Sequence, residues 1–146
     1  MKKLNFSATI NAPKDKVWKT LWDKNTYEQW TSTFSEGSTV ETDNWKEGSK
    51  VLFLNKEGQG MVSEVTANRP GEYMAFLHKG EVKDGVEDTT SEKVRQWAGA
   101  TETYSLKQVG DKTELLVEMD ITDDFAEYFS NAWPKAMKNI QEIAER

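Results

Sequence analysis

At 146 residues the chain is expected to form one domain over 1–146. A chain of this length buries roughly 70% of its unfolded surface and needs no metal or disulfide staple. A net charge of −6 with no Lys/Arg-rich window argues against a nucleic-acid partner, and the absence of cysteine excludes disulfides, thiol catalysis and cysteine metal sites. No apolar run approaches the roughly 20 residues of a membrane span, and Asn5, Ser7, Thr9 and Asn11 interrupt any signal-peptide core after Met1-Lys2-Lys3, so membrane insertion is not expected and the cytoplasm is the default compartment.

Residues 2–11 alternate, with Leu4, Phe6, Ala8 and Ile10 on one side, as in a strand buried on one face. Pro13 suits a first helical position. Val17, Trp18, Leu21 and Trp22 follow at the spacing of one helix face. Thr26-Tyr-Glu-Gln29 has the form of a capping box, predicting a second short helix that carries Tyr27 and Trp30.

From Gly37 onward Gly and Pro-Gly punctuation recurs at strand-length intervals, predicting strands near 38–44, 49–55, 60–68, 72–80, 99–108 and 112–121. Short turns between them favour antiparallel neighbours. The link 81–98 is long for a hairpin. Thr89-Thr-Ser-Glu92 within it reads as another capping box, placing a short helix over about 90–97 that presents Val94 and Trp97.

Thr122-Asp123-Asp124 starts the last helix, with acidic residues favourable in its first turn. Its apolar stripe runs from Phe125 through Phe129, Trp133 and Met137 to Ile140. Pro134 removes an amide and clashes with the Ser130 carbonyl, so a kink near 130–134 or a fresh helix start at Pro134 is expected.

The chemistry is sparse. The one histidine, His78, has no G-x-S-x-G elbow to serve and no H-x-x-x-H partner. Asp123-Asp124 reads as a helix cap and Asp84…Glu87-Asp88 as a solvated loop. Gly58-Gln-Gly60 lacks the third glycine of a phosphate-cradling loop. Period 2 puts Glu102 on the face of Tyr104 and Leu106, and His78 on that of Met74 and Phe76. A carboxylate inside an apolar pocket could act as an acid or base, but strand-end polar residues with ordinary partners are commoner. No catalytic residue, metal site or cofactor is therefore assigned.

Sixteen rings, six Trp, six Phe and four Tyr, can fill a core or line a cavity. Phe6, Trp18 and Trp22 read as plain core, and Trp45, after Asp43-Asn44, as a surface turn residue. The cavity candidates are Trp30, Phe53, Met61, Phe76, His78 and Trp97, together with Glu102, Tyr104, Phe129, Trp133 and Met137. They come from separate elements that a curved sheet would bring together over the last helix.

Ile10-Asn-Ala-Pro13 running to Val17-Trp18, Leu21 and Trp30 resembles the opening of the SRPBCC (START-like) superfamily. The subgroup it is most similar to is the heat shock protein 90 ATPase activator homologue-like proteins. Phe76-Leu-His78-Lys-Gly80 with Lys83-Asp-Gly85, Tyr104-Ser-Leu106 with Gly110-Asp-Lys-Thr113-Glu-Leu115, and Trp133-Pro-Lys-Ala136 support it in order. The resemblance implies an α+β helix-grip fold: a seven-stranded antiparallel sheet curved around a long C-terminal helix, with two short helices after the first strand and a deep cavity between. It implies a binding or carrier protein for a small hydrophobic or aromatic ligand, lipid or polyketide-like. Two alternatives stay open: a cyclase or dehydratase using His78 or Glu102, and an interaction module with a chaperone as partner.

Overall fold

The computed structural model describes all residues 1–146. Strand β1 (Lys2–Ile10) buries alternate residues, as its pattern dictates. Helix α1 (Lys14–Trp22) follows Pro13 and buries Val17, Leu21 and Trp22. Helix α2 (Lys24–Trp30) begins two residues before Thr26 and runs into a 3-10 turn, Thr31–Thr33. The expected capping box at Thr26 is not used. Its hydroxyl bonds instead to the carbonyls of Lys19 and Asp23. With α1 and α2 nearly abutting, the hydroxyl adds a second donor to carbonyls that already accept the Asp23 and Tyr27 amides.

The remaining strands are β2 (Thr39–Thr42), β3 (Lys50–Leu54), β4 (Gly60–Arg69), β5 (Tyr73–Lys83), β6 (Val86–Asp88), β7 (Thr101–Val109) and β8 (Lys112–Ile121). Six of them join β1 in one antiparallel sheet in the order β1-β8-β7-β5-β4-β3-β2. The short β6 is an eighth, paired only with the end of β5. It occupies part of the long 81–98 link. Asp84 and Gly85 both take positive φ, 53° and 78°, giving the tight turn that folds β6 back on β5. Two register shifts between β4 and β5, at Val62/Ser63 and Val65/Ala67, add the bend a gripping sheet needs.

Helix α3 (Glu92–Arg95) completes the link, capped by Ser91, whose Oγ accepts the Val94 amide. Thr89 was the expected cap. It cannot serve, because the Asp88 carboxylate takes the Thr90 and Ser91 amides and the chain is still turning there.

Helix α4 (Asp123–Ala144) lies across the concave face. The fresh start at Pro134, expected as the alternative to a kink, does not occur: the helix is continuous through it. Pro134 and Ser130 are both exposed, so water can satisfy the carbonyl that the proline leaves free. The opposite side, with Ala132, Trp133, Ala136, Met137, Ile140 and Ala144, is buried. That apolar seam opposes the roughly 3 kcal/mol a mid-helix proline costs. No helix is long and apolar enough to cross a membrane.

Trp45 overturns its surface reading. It is 8% exposed, and its indole Nε1 donates to the Trp22 carbonyl at 2.9 Å. Asn44 and Trp45 take φ of 53° and 59°, a left-handed pair that swings the indole under the end of α1. Such strain costs of order 1–3 kcal/mol, comparable with the gain from burying a large ring.

Candidate functional site

A cavity of about 250 Å³ opens between the sheet, α2 and α4. Trp22, Tyr27 and Trp30 reach it from the two N-terminal helices, and Phe34 follows the 3-10 turn. The β3–β4 hairpin supplies Phe53 and Met61, and the sheet centre supplies Glu102, Tyr104 and Met119. Phe129 and Trp133 come from α4. The rings brace one another: Trp22 meets Tyr104 edge-on at 4.8 Å, Trp133 lies 5.8 Å from Trp30, and Phe34 meets Trp133 edge-on at 5.1 Å. Half-buried Ser35, Ser38, Asn55 and Gln59 make the wall polar at its wet end. The Tyr128 hydroxyl donates to the Phe34 carbonyl and ties the start of α4 to the 3-10 turn.

Gly60 is required where the hairpin closes on this wall. A Cβ there would lie 1.7 Å from the Phe53 carbonyl oxygen, and backbone cannot yield cheaply.

Glu102 is the only ionisable acid or base among the carboxylates, ammonium, guanidinium and imidazole groups of the protein that reaches this wall. Its side chain is 17% exposed. Tyr104 donates its hydroxyl to one carboxylate oxygen, and His78 Nε2 lies 3.3 Å from the other. His78 Nδ1 in turn lies 2.6 Å from the Oγ of Ser63, which is 1% exposed. The line is satisfied with Nε2 donating to Glu102 and the Ser63 hydroxyl pairing with Nδ1. Burial, with the Glu102 charge adding, pushes the Tyr27 and Tyr104 phenols well above the usual tyrosine range, so both stay neutral donors.

The serine–imidazole–carboxylate order is not a nucleophilic triad. Ser63 is sealed away from the cavity, and only Glu102 at the far end of the line meets it. No group of three or more His, Asp or Glu side chains is placed to hold a metal ion.

Of the residues singled out from the sequence, Trp30, Phe53, Met61, Glu102, Tyr104, Phe129 and Trp133 stand on the cavity wall. Four do not. Phe76 is buried behind the wall, packed edge-on against Phe53 at 5.2 Å and Trp22 at 5.6 Å. His78 stands behind Glu102, reaching the cavity only through it. Met137 lies one turn beyond Trp133 on α4, in the solid core. Trp97 follows α3 in the β6–β7 link, half-buried and off the wall.

Trp22, read as plain core, does line the cavity, and so do Tyr27, Phe34 and Met119. One of these carried a signal: Tyr27 shares the Trp30 stripe at i, i+3. Met119 pairs directly across from Glu102, a register that only the sheet decides. Nothing in the sequence around Phe34 marks it.

With this architecture and cavity in view, the family model described as Activator of Hsp90 ATPase homolog 1-like protein matches residues 11–145. The chain belongs to this family. Its opening and closing motifs resembled the same group, and its helix-grip architecture is the one that resemblance implied.

Solved structures with the same fold include the Aha1 dimer from Colwellia psychrerythraea, 18% identical, with a TM-score of 0.73 over 99% of this chain and 97% of that one. DynU16, a protein in the dynemicin biosynthetic locus, is 15% identical with a TM-score of 0.73 over 99% of this chain. The present chain spans 48% of DynU16. CalU16 from Micromonospora echinospora is 17% identical, TM-score 0.67, covering 97% of this chain and 75% of that one. At these identities the likeness concerns the fold. No curated protein matches the chain.

Proposed function

We propose that this Hsp90-activator-like protein binds a small apolar or aromatic molecule in the cavity between sheet and α4, as a carrier. The observation that carries the reading is a ring-walled space of about 250 Å³ with a single carboxylate on its wall. That size is near the lower end of ligand sites, suiting a compact molecule. Apolar burial would drive binding, ring stacking would add to it, and Glu102 would orient the ligand. Occurrence of the fold in a protein of a biosynthetic locus supports a small-molecule role.

Trp22, Trp30 and Trp133 stand on the wall, so an apolar ligand should quench tryptophan fluorescence. Binding only the native state, it should also raise the melting temperature. A broad panel of lipids, aromatic amines and alcohols, and polyketides that produces neither effect would rule out the carrier.

One observation favours a second reading, a cyclase or dehydratase. Glu102 is held at the cavity by both His78 and Tyr104, an arrangement able to relay a proton. Turnover abolished by Glu102→Gln with ligand binding retained would support it. A chaperone partner is suggested by the family's name. Phe125 and Tyr128, 57% and 45% exposed at the start of α4, are the apolar side chains it would use. Unchanged chaperone ATPase activity on adding the protein would count against this.

A further inference from the structure

We propose that the molecule this cavity accepts is a hydrophobic organic cation: a protonated amine on a compact aromatic or apolar body. This rests on the carrier reading and narrows it to a charge class. The argument begins with what the wall lacks. Glu102 is its one carboxylate, and no Lys, Arg or His stands on it. Lys56, on the turn after Asn55, is engaged with Glu36 at 3.8 Å.

Glu102 bonds to Tyr104 and to His78 Nε2, and no Lys or Arg stands within salt-bridge reach of it. Tyr104 is a neutral donor, and His78 shares its ring nitrogens between Ser63 and Glu102 behind the wall. A carboxylate offers about four lone-pair positions, and two of them are used here. A largely buried carboxylate facing aromatic rings is costly unless a positive charge meets it. A ligand ammonium supplies that charge and fills a free acceptor position.

The rings point the same way. Trp22, Tyr27, Trp30, Tyr104 and Trp133 meet at one cavity. Aromatic faces are negative, and a cation within about 6 Å of a ring centroid is attracted most strongly to tryptophan. A carboxylate beneath several tryptophan and tyrosine rings, with no basic residue among them, is the inverse of a fatty-acid site. A free acid entering here would meet a like charge and no compensating group.

The test uses an isosteric trio, 2-phenylethylamine, 2-phenylethanol and phenylacetate, titrated at neutral pH against the whole chain by tryptophan fluorescence and thermal shift. The amine should bind at least about ten-fold more tightly than the alcohol, and phenylacetate should bind most weakly. In Glu102→Gln the amine should lose that advantage over the alcohol. The wild-type series does not depend on how that variant folds. Alcohol binding with no preference for the amine overturns the charge assignment and leaves the carrier reading standing. A preference that survives in Glu102→Gln overturns the role of the carboxylate. Failure of all three to bind overturns the cation assignment, and the broad panel then decides the carrier reading.

Discussion

The Ser63–His78–Glu102 line can be dissected by a double-mutant cycle. Ser63 and His78 are 1% and 5% exposed and lie 2.6 Å apart, Oγ to Nδ1. Ser63→Ala leaves Nδ1 buried with no partner, at a cost of about 1–3 kcal/mol. His78→Phe strands the Ser63 hydroxyl at a similar cost and removes one donor from Glu102. The second loss is a hydrogen bond to a charged group, of order 1.5–3 kcal/mol, discounted because Glu102 keeps Tyr104 and some solvent. His78→Phe alone should therefore cost about 3–5 kcal/mol, a large share of the 7–15 kcal/mol typical of a domain this size. In the double variant no Ser63 hydroxyl remains to be stranded. It should be more stable than His78→Phe by about 1 kcal/mol or more, which with the Ser63→Ala cost gives a coupling energy of roughly 2–4 kcal/mol. Urea unfolding followed by tryptophan fluorescence measures all four corners, provided the slope with urea is unchanged. Strict additivity, or a Ser63→Ala cost below about 0.5 kcal/mol, would refute the claim that this contact organises Glu102.

Other outcomes follow from the same structure. Gly60→Ala places a methyl against the Phe53 carbonyl, so it should lower stability by about 1–3 kcal/mol and weaken any cavity ligand, as read by thermal shift. Pro134→Ala restores an amide opposite the Ser130 carbonyl on an exposed helix face and should raise the melting temperature. Asp120 gives a pH signature. Partial burial pushes its carboxyl up, but the Thr101 amide, the Lys3 ammonium and the Thr101 hydroxyl more than offset this and hold it below the usual range. Its contribution is therefore present above the unfolded value of roughly 3.9 and lost as pH falls through the lower folded one. Asp120→Asn should be less stable than wild type at neutral pH, and the gap should close in acid-unfolding curves well below pH 4.

Much of the frame was legible in the chain. The alternation over 2–11 and the stripe through Val17, Leu21 and Trp22 became β1 and α1 because burying one face is what each periodicity allows. The strand intervals held because their turn residues are ones that reverse a chain. Local capping reasoning failed at Thr26 and Thr89, where neighbouring groups, the Lys19 carbonyl and the Asp88 carboxylate, took the hydrogen bonds first. At Pro134 the helix did not restart: a buried seam along the opposite face of α4 opposed the local penalty. The cavity wall was half legible. Glu102 and Tyr104 could be put on one face by period alone. Whether Trp22 or Phe76 met the cavity could not, since both faces of a packed ring look the same in a sequence.

Composition and periodicity by themselves determined a cysteine-free α+β chain rich in rings, with an apolar face on its first strand and last helix. Both properties are local, set by side-chain chemistry and the repeat of the backbone. Only the tertiary structure decided which rings meet empty space and which meet each other, and that Ser63, His78, Glu102 and Tyr104 form one line. Ser63 and Tyr104 lie far apart in the chain and join one line only through the pairing of β4, β5 and β7. Strand register is a property of the whole sheet, and it is register that brought a lone carboxylate to an aromatic wall.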